Sequence, residues 1–298
     1  MASAVPSPAP LPFHHVSVLA AEVLEGLNLR SGGCYLDLTV GGGGHSQLIL
    51  EADPTVCLTA IDQDEQALQA ARTRLQAYGD RIQFWKGNFS TFSPPLESFD
   101  GILADLGVSS AQFDQGERGF SFRQDAPLDM RMDLSQDLTA ADLLNHLSER
   151  DLADLFFRLG EERFSKRIAR QVVQRRPLQT TGQLASLVIA ALPVALKQKK
   201  WRIHPATRVF QSLRMAVNRE LESLETLLEI SPRWLRPQGR LCIISFHSLE
   251  DRQVKLSFRN HPDLRPLTKK PLVPTAAEQA LNPRSRSAKL RIAERLYS

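Results

Sequence analysis

Four consecutive glycines, Gly41 to Gly44, separate the apolar run "CYLDLT" (34–39) from a helix-forming stretch that begins at His45. A strand that enters an all-glycine turn and leaves as a helix lets a ligand approach backbone with no side chain in between. A nucleotide-phosphate loop needs lysine and Ser/Thr after its last glycine, and this loop offers His45 and Ser46 instead. A dinucleotide fingerprint would read Gly42, Gly44 and then a small residue where Gln47 stands. The glycine that allows close helix packing is therefore missing, and that reading is weak.

Further β-rich runs follow: "VCLTAID" (56–62), "RIQFWKG" (81–87), "FDGILADLG" (99–107) and "GRLCIISFHS" (239–248). Helical patterns over 45–51 and 63–78 alternate with the early ones, which predicts right-handed crossovers and a doubly wound, mostly parallel α/β sheet. Between Gly107 and Gly239 the strand signal disappears. Leu152, Leu155, Phe156 and Leu159 recur at helical spacing, and "TTGQLASLVIAAL" opens with a threonine cap. The stretch 204–230 reads as one amphipathic helix serving as the sheet's own crossover. These patterns predict a Rossmann-like domain over 14–114 and 206–298, interrupted by an all-α insert over 115–205. The Pro/Ala-rich tail 1–13 is expected to be disordered.

S-adenosylmethionine fits the loop best, because it carries no phosphate and asks for backbone closeness rather than lysine. Asp62 ends the second strand, where an acid accepts bonds from ribose hydroxyls, although a helix cap is its other common fate. Phe89, in "NFS" after the third strand, could line an adenine pocket or belong to the core. Asp105 ends the fourth strand at the sheet's carboxyl edge, placed to hold the cofactor's amino group or to orient an incoming amine.

Of 298 residues, 42% are hydrophobic and 23% charged, an ordinary globular balance with a net charge of +4. The bases cluster, from Arg265 to Arg295 and in "KQKKWR" (197–202), which favours a polyanionic partner. Cys34, Cys57 and Cys242 lack metal-ligand spacing and read as buried free thiols. No metal is expected. The N-terminus has neither the basic start nor the apolar segment of a signal peptide, and no run is long enough to span a bilayer. The expectation is a cytoplasmic protein.

"GGGGHS", "DLGVSSAQFD", "ERGFSF", "PLDMRMD", "LGEERFSKRIAR", "IHPATRVFQSLRMAVNRELESLE", "SFHSLEDRQVK" and "NPRSRSAKLRIAER" together resemble the bacterial small-subunit ribosomal RNA (cytosine-N4)-methyltransferases, or MraW family. The likeness runs from about His14 to Arg295. It implies a class I methyltransferase domain with a helical insert for RNA recognition. It also implies S-adenosylmethionine as methyl donor, and as substrate a decoding-region cytidine of 16S rRNA in the small subunit. By motif, the cofactor contacts would fall on Gly43, Gly44, His45, Asp62, Phe89, Asp105 and Gln112. The Asp/Asn-Pro-Pro-aromatic motif of many amino methyltransferases is replaced by "DLGV", so no motif assigns the proton acceptor. Asp105 is the first candidate, ahead of Asp129, Arg131 and His247, for which structural roles compete. Arg208 and Arg214 are candidates for RNA contact. Phe120 and Phe122 could stack on a base but serve a core more often. Rival readings are a non-catalytic ribosome-assembly factor on the same fold and a small-molecule N-methyltransferase. Nothing chooses between monomer and homodimer.

Overall fold

A computed structural model describes residues 17–109, 112–113, 115–197, 201 and 203–297. The tail 1–13 and Gln198 to Lys200 and Arg202 of the basic run lie outside them. The first half runs α1 (Ala20–Leu27), β1 (Cys34–Asp37), α2 (Gly44–Ala52), β2 (Cys57–Asp62), α3 (Glu65–Leu75), β3 (Ile82–Lys86) and β4 (Phe99–Asp105). Helices follow: α4 (Ala140–His146), α5 (Glu149–Gly160), α6 (Ser165–Gln174), α7 (Thr181–Ala191), α8 (Val194–Lys197), α9 (Thr207–Val217) and α10 (Glu220–Ile230). The chain then returns through β5 (Leu235–Ser245), α11 (Ser248–Asn260), β6 (Leu264–Pro266), α12 (Ala276–Leu281) and β7 (Lys289–Arg295).

The sheet has the order β3-β2-β1-β4-β5-β7-β6. The strands from β3 to β5 in this order are mutually parallel, and β7 is antiparallel to both its neighbours. The parallel strands are short and apolar because helices cover both faces. One buried layer includes Tyr35, Leu58, Leu103 and Cys242 with Ile49 and Leu68; the other includes Leu36, Ile61, Ile102 and Ile243 with Leu224 and Leu228. Alternate residues of each strand thus go to opposite faces. The chain progresses outward one way from β1 and the other way from β4. The two carboxyl ends therefore part at this switch point and leave a crevice.

Strands β6 and β7 went unread in the sequence. "KLRIAER" alternates bases with residues that enter the core (Leu290, Ile292 and Ala293), and its charges mask the strand signal. The fold also ties down several of the C-terminal bases. Lys289 and Arg291 bond to Asp251 at 3.1 and 2.7 Å, and Arg295 bonds to Glu97 at 2.9 Å. Cys34 and Cys57, expected as free thiols, are register partners on adjacent strands, with Cα atoms 4.8 Å apart, and are joined by a disulfide. Cross-strand partners point to the same face, a proximity that sequence spacing does not show. Cys242 is free and buried as expected, and burial pushes its thiol up to about 12.

The single helix expected over 204–230 is two. Arg219 adopts a left-handed φ of 50° between α9 and α10, and the two apolar faces serve different cores. Val209, Phe210, Leu213 and Val217 of α9 pack with Leu152, Phe156, Ile168 and Leu187 in a core built from residues 120–217, apart from the sheet. The crossover to β5 is α10 alone. Helices of this second core carry regular caps: Thr139 and Thr180 each form a capping box, the latter with Gln183. Phe156 is fully buried at the centre of that core. Phe156→Ala should lower unfolding stability by about 3–5 kcal/mol, read as a drop in the urea midpoint at unchanged slope.

Candidate active site

The crevice at the switch point opens into a cavity of about 640 Å³, within the range of small-molecule sites. Its floor is the glycine loop. Val40 N–H donates to Ile61 O at 2.8 Å and Gly43 N–H to Val40 O at 2.8 Å, curling the loop between β1 and β2. Gly41 and Gly43 have φ of 50° and 81°, a region that favours glycine. A Cβ on Gly42 would meet nothing within 4 Å, so that residue presents bare backbone to the cavity. A Cβ on Gly44 would lie 2.4 Å from Ser17 Oγ.

Of the residues expected at a cofactor, Gly44, His45, Asp62, Phe89, Asp105 and Gln112 line this one cavity. Gly43 is not on its wall; it caps α2 and faces Leu75 and Arg74. Asp62 accepts the N–H groups of Gly41 and Asp64, each at 2.9 Å. Burial raises its carboxyl to about 6, against the pull of those two donors, and the nearby carboxylates of Asp64 and Asp37 push the same way as burial. The capping role that competed for Asp62 belongs to Asp64, whose side chain accepts Gln66 N–H at the start of α3.

Across the switch point, Asp105 N–H donates to Thr39 Oγ1 at 2.7 Å, and Asp105 Oδ2 lies 3.7 Å from His45 Nε2. Both ring nitrogens of His45 and Oδ1 of Asp105 are shielded from solvent without a hydrogen-bond partner. Asp37, fully buried beneath the loop, accepts Ser46 Oγ–H at 2.7 Å; burial still raises its carboxyl. The bases on the wall are engaged. Arg74 donates to Gly42 O at 3.0 Å, and Arg214 binds Glu220 through two bonds of 2.7 and 2.8 Å. A crevice rich in carboxylates, with these bases turned to other partners, repels phosphate and attracts a cationic, hydroxyl-bearing ligand.

Other candidates have structural employment. Arg131 clamps Asp129 at 2.8 Å on both oxygens. Phe120 is buried in the helical core, and Phe122 packs edge-on against Phe210 at 4.8 Å. His247 caps α11 and lies 3.0 Å from Glu250. Burial works to raise the Glu250 carboxyl, but His247, Arg214 and the Phe246 N–H outweigh it and hold it below the usual range. Arg208 is exposed and bonds Glu161 O at 3.0 Å. Trp201 donates to Leu196 O.

Three features escaped the sequence reading. Asp64 and Arg118 form a buried ion pair at 3.1 Å under the cavity. Asn218 accepts Met132 N–H at 2.7 Å and donates to the carbonyls of Met130 and Arg214, each at 2.8 Å, joining α9 to the segment before α4. Lys166, Arg167 and Arg170 line the exposed face of α6, with exposed Arg163 and Arg175 at its ends. The i, i+4 spacing of Arg163 with Arg167 and of Lys166 with Arg170 carried that signal, but it lay hidden between apolar positions.

Strand order, glycine loop and acidic strand ends define a Rossmann-like domain of the methyltransferase type. The model of the MraW methylase family matches residues 12–296. The ribosomal RNA small subunit methyltransferase H of a Cyanothece strain is 62% identical over 98% of both chains. The protein of that name from Acaryochloris marina is 61% identical over 97% of both. The chain belongs to the MraW methylase family. Among solved structures, the tRNA (m1A58) methyltransferase TrmI from Aquifex aeolicus aligns over 94% of this chain and 68% of its own, at 10% identity and a TM-score of 0.43, too remote to add weight.

Asn218→Ala would strand buried backbone groups of Met130 and Met132. It should cost about 2–3 kcal/mol in denaturant unfolding and expose the 118–132 segment to limited proteolysis.

Proposed function

We propose that this protein transfers a methyl group from S-adenosylmethionine to the N4 amine of a cytidine in the decoding region of small-subunit rRNA. The observation that carries the donor assignment is the pair of half-buried carboxylates, Asp62 and Asp105, facing one cavity from strand ends on either side of the switch point. The relatives' name supports the substrate. Bound here, S-adenosylmethionine would supply an electrophilic methyl carbon on a cationic sulfur.

The chain's own residues have distinct tasks. Asp62 accepts the ribose hydroxyls, and Phe89 lies against the adenine. The bare backbone of Gly41 and Gly42 allows close approach, and Gly44 and His45 stand at the methionine end. Gln112 sets the wall: its Oε1 accepts Ser109 N–H at 2.9 Å, and its Nε2 donates to Asp64 at 2.7 Å. Gly43 contributes through loop shape. The unpartnered Oδ1 of Asp105 accepts an N–H at the reacting end, from the cofactor's ammonium or the incoming amine. The N4 lone pair of cytosine is delocalised, so an acceptor beside its hydrogens promotes attack and takes the proton. Holding amine and methyl carbon in line supplies much of the remaining acceleration.

The helical unit, expected over 115–205 and sharing its core with α9, is the RNA-recognition part. The basic face of α6 offers it phosphate contacts, supplemented by exposed Lys269, Lys270 and Arg286. Unstacking of the target base would bring its amine to the cavity. No helix among the described residues is long and apolar enough to cross a membrane, and an rRNA substrate carries a cytoplasmic location with it.

Purified protein, labelled S-adenosylmethionine and small ribosomal subunits or naked 16S rRNA should yield labelled N4-methylcytidine after nuclease digestion. Label in 5-methylcytidine, or none, would reject the reading. Asp62→Ala should weaken donor binding at least about tenfold by calorimetry, the worth of a charge-assisted hydrogen bond.

A further inference from the structure

The motif "ERGFSF" is not explained by base stacking, since Phe120 and Phe122 are both packed. Its chemistry lies in Arg118. This guanidinium is 8% exposed and meets Asp64, 4% exposed, at 3.1 Å. Its second terminal nitrogen, Nη2, donates to the carbonyls of Arg131 and Met132 at 2.8 and 3.0 Å. The geometry depends on Gly119, which has φ of +71° and would place a Cβ 2.3 Å from Pro127 O. The chain doubles back there, so that Arg118 faces inward.

Asp64 is the meeting point. It accepts Gln112 Nε2 at 2.7 Å and Gln66 N–H at 3.0 Å, and its own N–H donates to Asp62 Oδ1 at 2.9 Å. Two carboxylates two residues apart, in a shielded crevice, oppose each other's ionisation. Arg118 supplies the compensating charge, delivered from beyond β4.

We propose that Arg118 is a positioning residue for the methyl donor: acting through Asp64, it keeps the Asp62 carboxylate ionised and fixed against the cavity. This rests on the reading of Asp62 as the ribose acceptor. Arg118 need not touch the donor itself.

The sign of the pH effect follows. Asp62 titrates near 6, so it is a carboxylate above that pH and a neutral acid below it. Donor affinity therefore falls as pH drops through this value. Removing Arg118 leaves Asp64 uncompensated and moves the midpoint up; removing the Asp64 charge while Arg118 stays moves it down. The other ionisable groups near Asp62 are unchanged in both variants: Asp37 from β1, and His45 of α2, Asp105 of β4 and Arg74 of α3 on the same cavity wall. Lys86, its register partner on β3, is paired with Glu65 at 3.1 Å and is likewise untouched.

The test is calorimetric titration with S-adenosylhomocysteine across about pH 5 to 8, which brackets a shifted carboxylate. It compares wild type, Arg118→Met, Asp64→Asn and the double variant. Arg118→Met should raise the midpoint by about one unit, making binding about fivefold weaker near pH 6 and about tenfold weaker at pH values well below it. Asp64→Asn, which preserves the helix cap, should lower it, and the double variant should return close to wild type. A purely structural Arg118 would weaken binding without moving the midpoint, or leave the double variant as impaired as Arg118→Met; either result overturns the proposal. Should Arg118→Met fail to fold, an unmoved midpoint in Asp64→Asn overturns it equally. Asp62→Ala separates the two levels. Unchanged affinity there rejects the ribose assignment, whereas a lost affinity with unmoved midpoints in the Arg118 and Asp64 variants rejects this inference alone.

Discussion

The architecture depends on keeping carboxylates in a shielded crevice. Asp37, Asp62, Asp64 and Asp105 gather where β1, β2 and β4 end, and each would resist burial without donors. Backbone N–H groups of Gly41 and Asp64 serve Asp62, Ser46 and Thr39 serve Asp37, and Arg118 with Gln112 serves Asp64. Asp105 keeps one oxygen without a partner. Three of the acids are supplied with donors while one acid on the cavity wall is left short of them, which is the asymmetry a ligand-binding site needs.

Those same donors join the two cores. Arg118 and Gln112 come from the chain beyond β4, and Asn218 ties α9 to the segment that Arg118 holds. The helical unit is therefore not merely attached to the sheet; polar bonds register it against the cavity wall. The break at Arg219 belongs to this scheme. A straight helix could not send Leu213 into one core and Leu228 into the other while leaving Asn218 free to bond across the joint.

Much of the site was legible in local sequence. The glycine loop, Asp62 and Asp105 stand at strand ends, and period-two apolar runs locate strand ends well. Gln112 was visible only through family likeness, since its partner Asp64 lies 48 residues away. Gly43 lies in the same motif but turns toward Leu75, because which glycine of four faces the cavity is set by backbone dihedrals rather than composition. The basic C-terminus was legible only in part. Its charges looked free in sequence, yet β7 pairs Lys289, Arg291 and Arg295 with acids on neighbouring elements.

The sequence by itself determined the alternation of strands and helices, the place of the glycine turn and the interruption by helices. These follow from periodicity and from residues whose backbone preferences act over a few positions. Tertiary structure alone decided the antiparallel β7, the Cys34–Cys57 pairing, the two cores sharing one broken helical stretch, and the partnership of Arg118 with Asp64. Each of these joins residues distant along the chain, and a charge or thiol carries no local mark of the partner that folding brings to it.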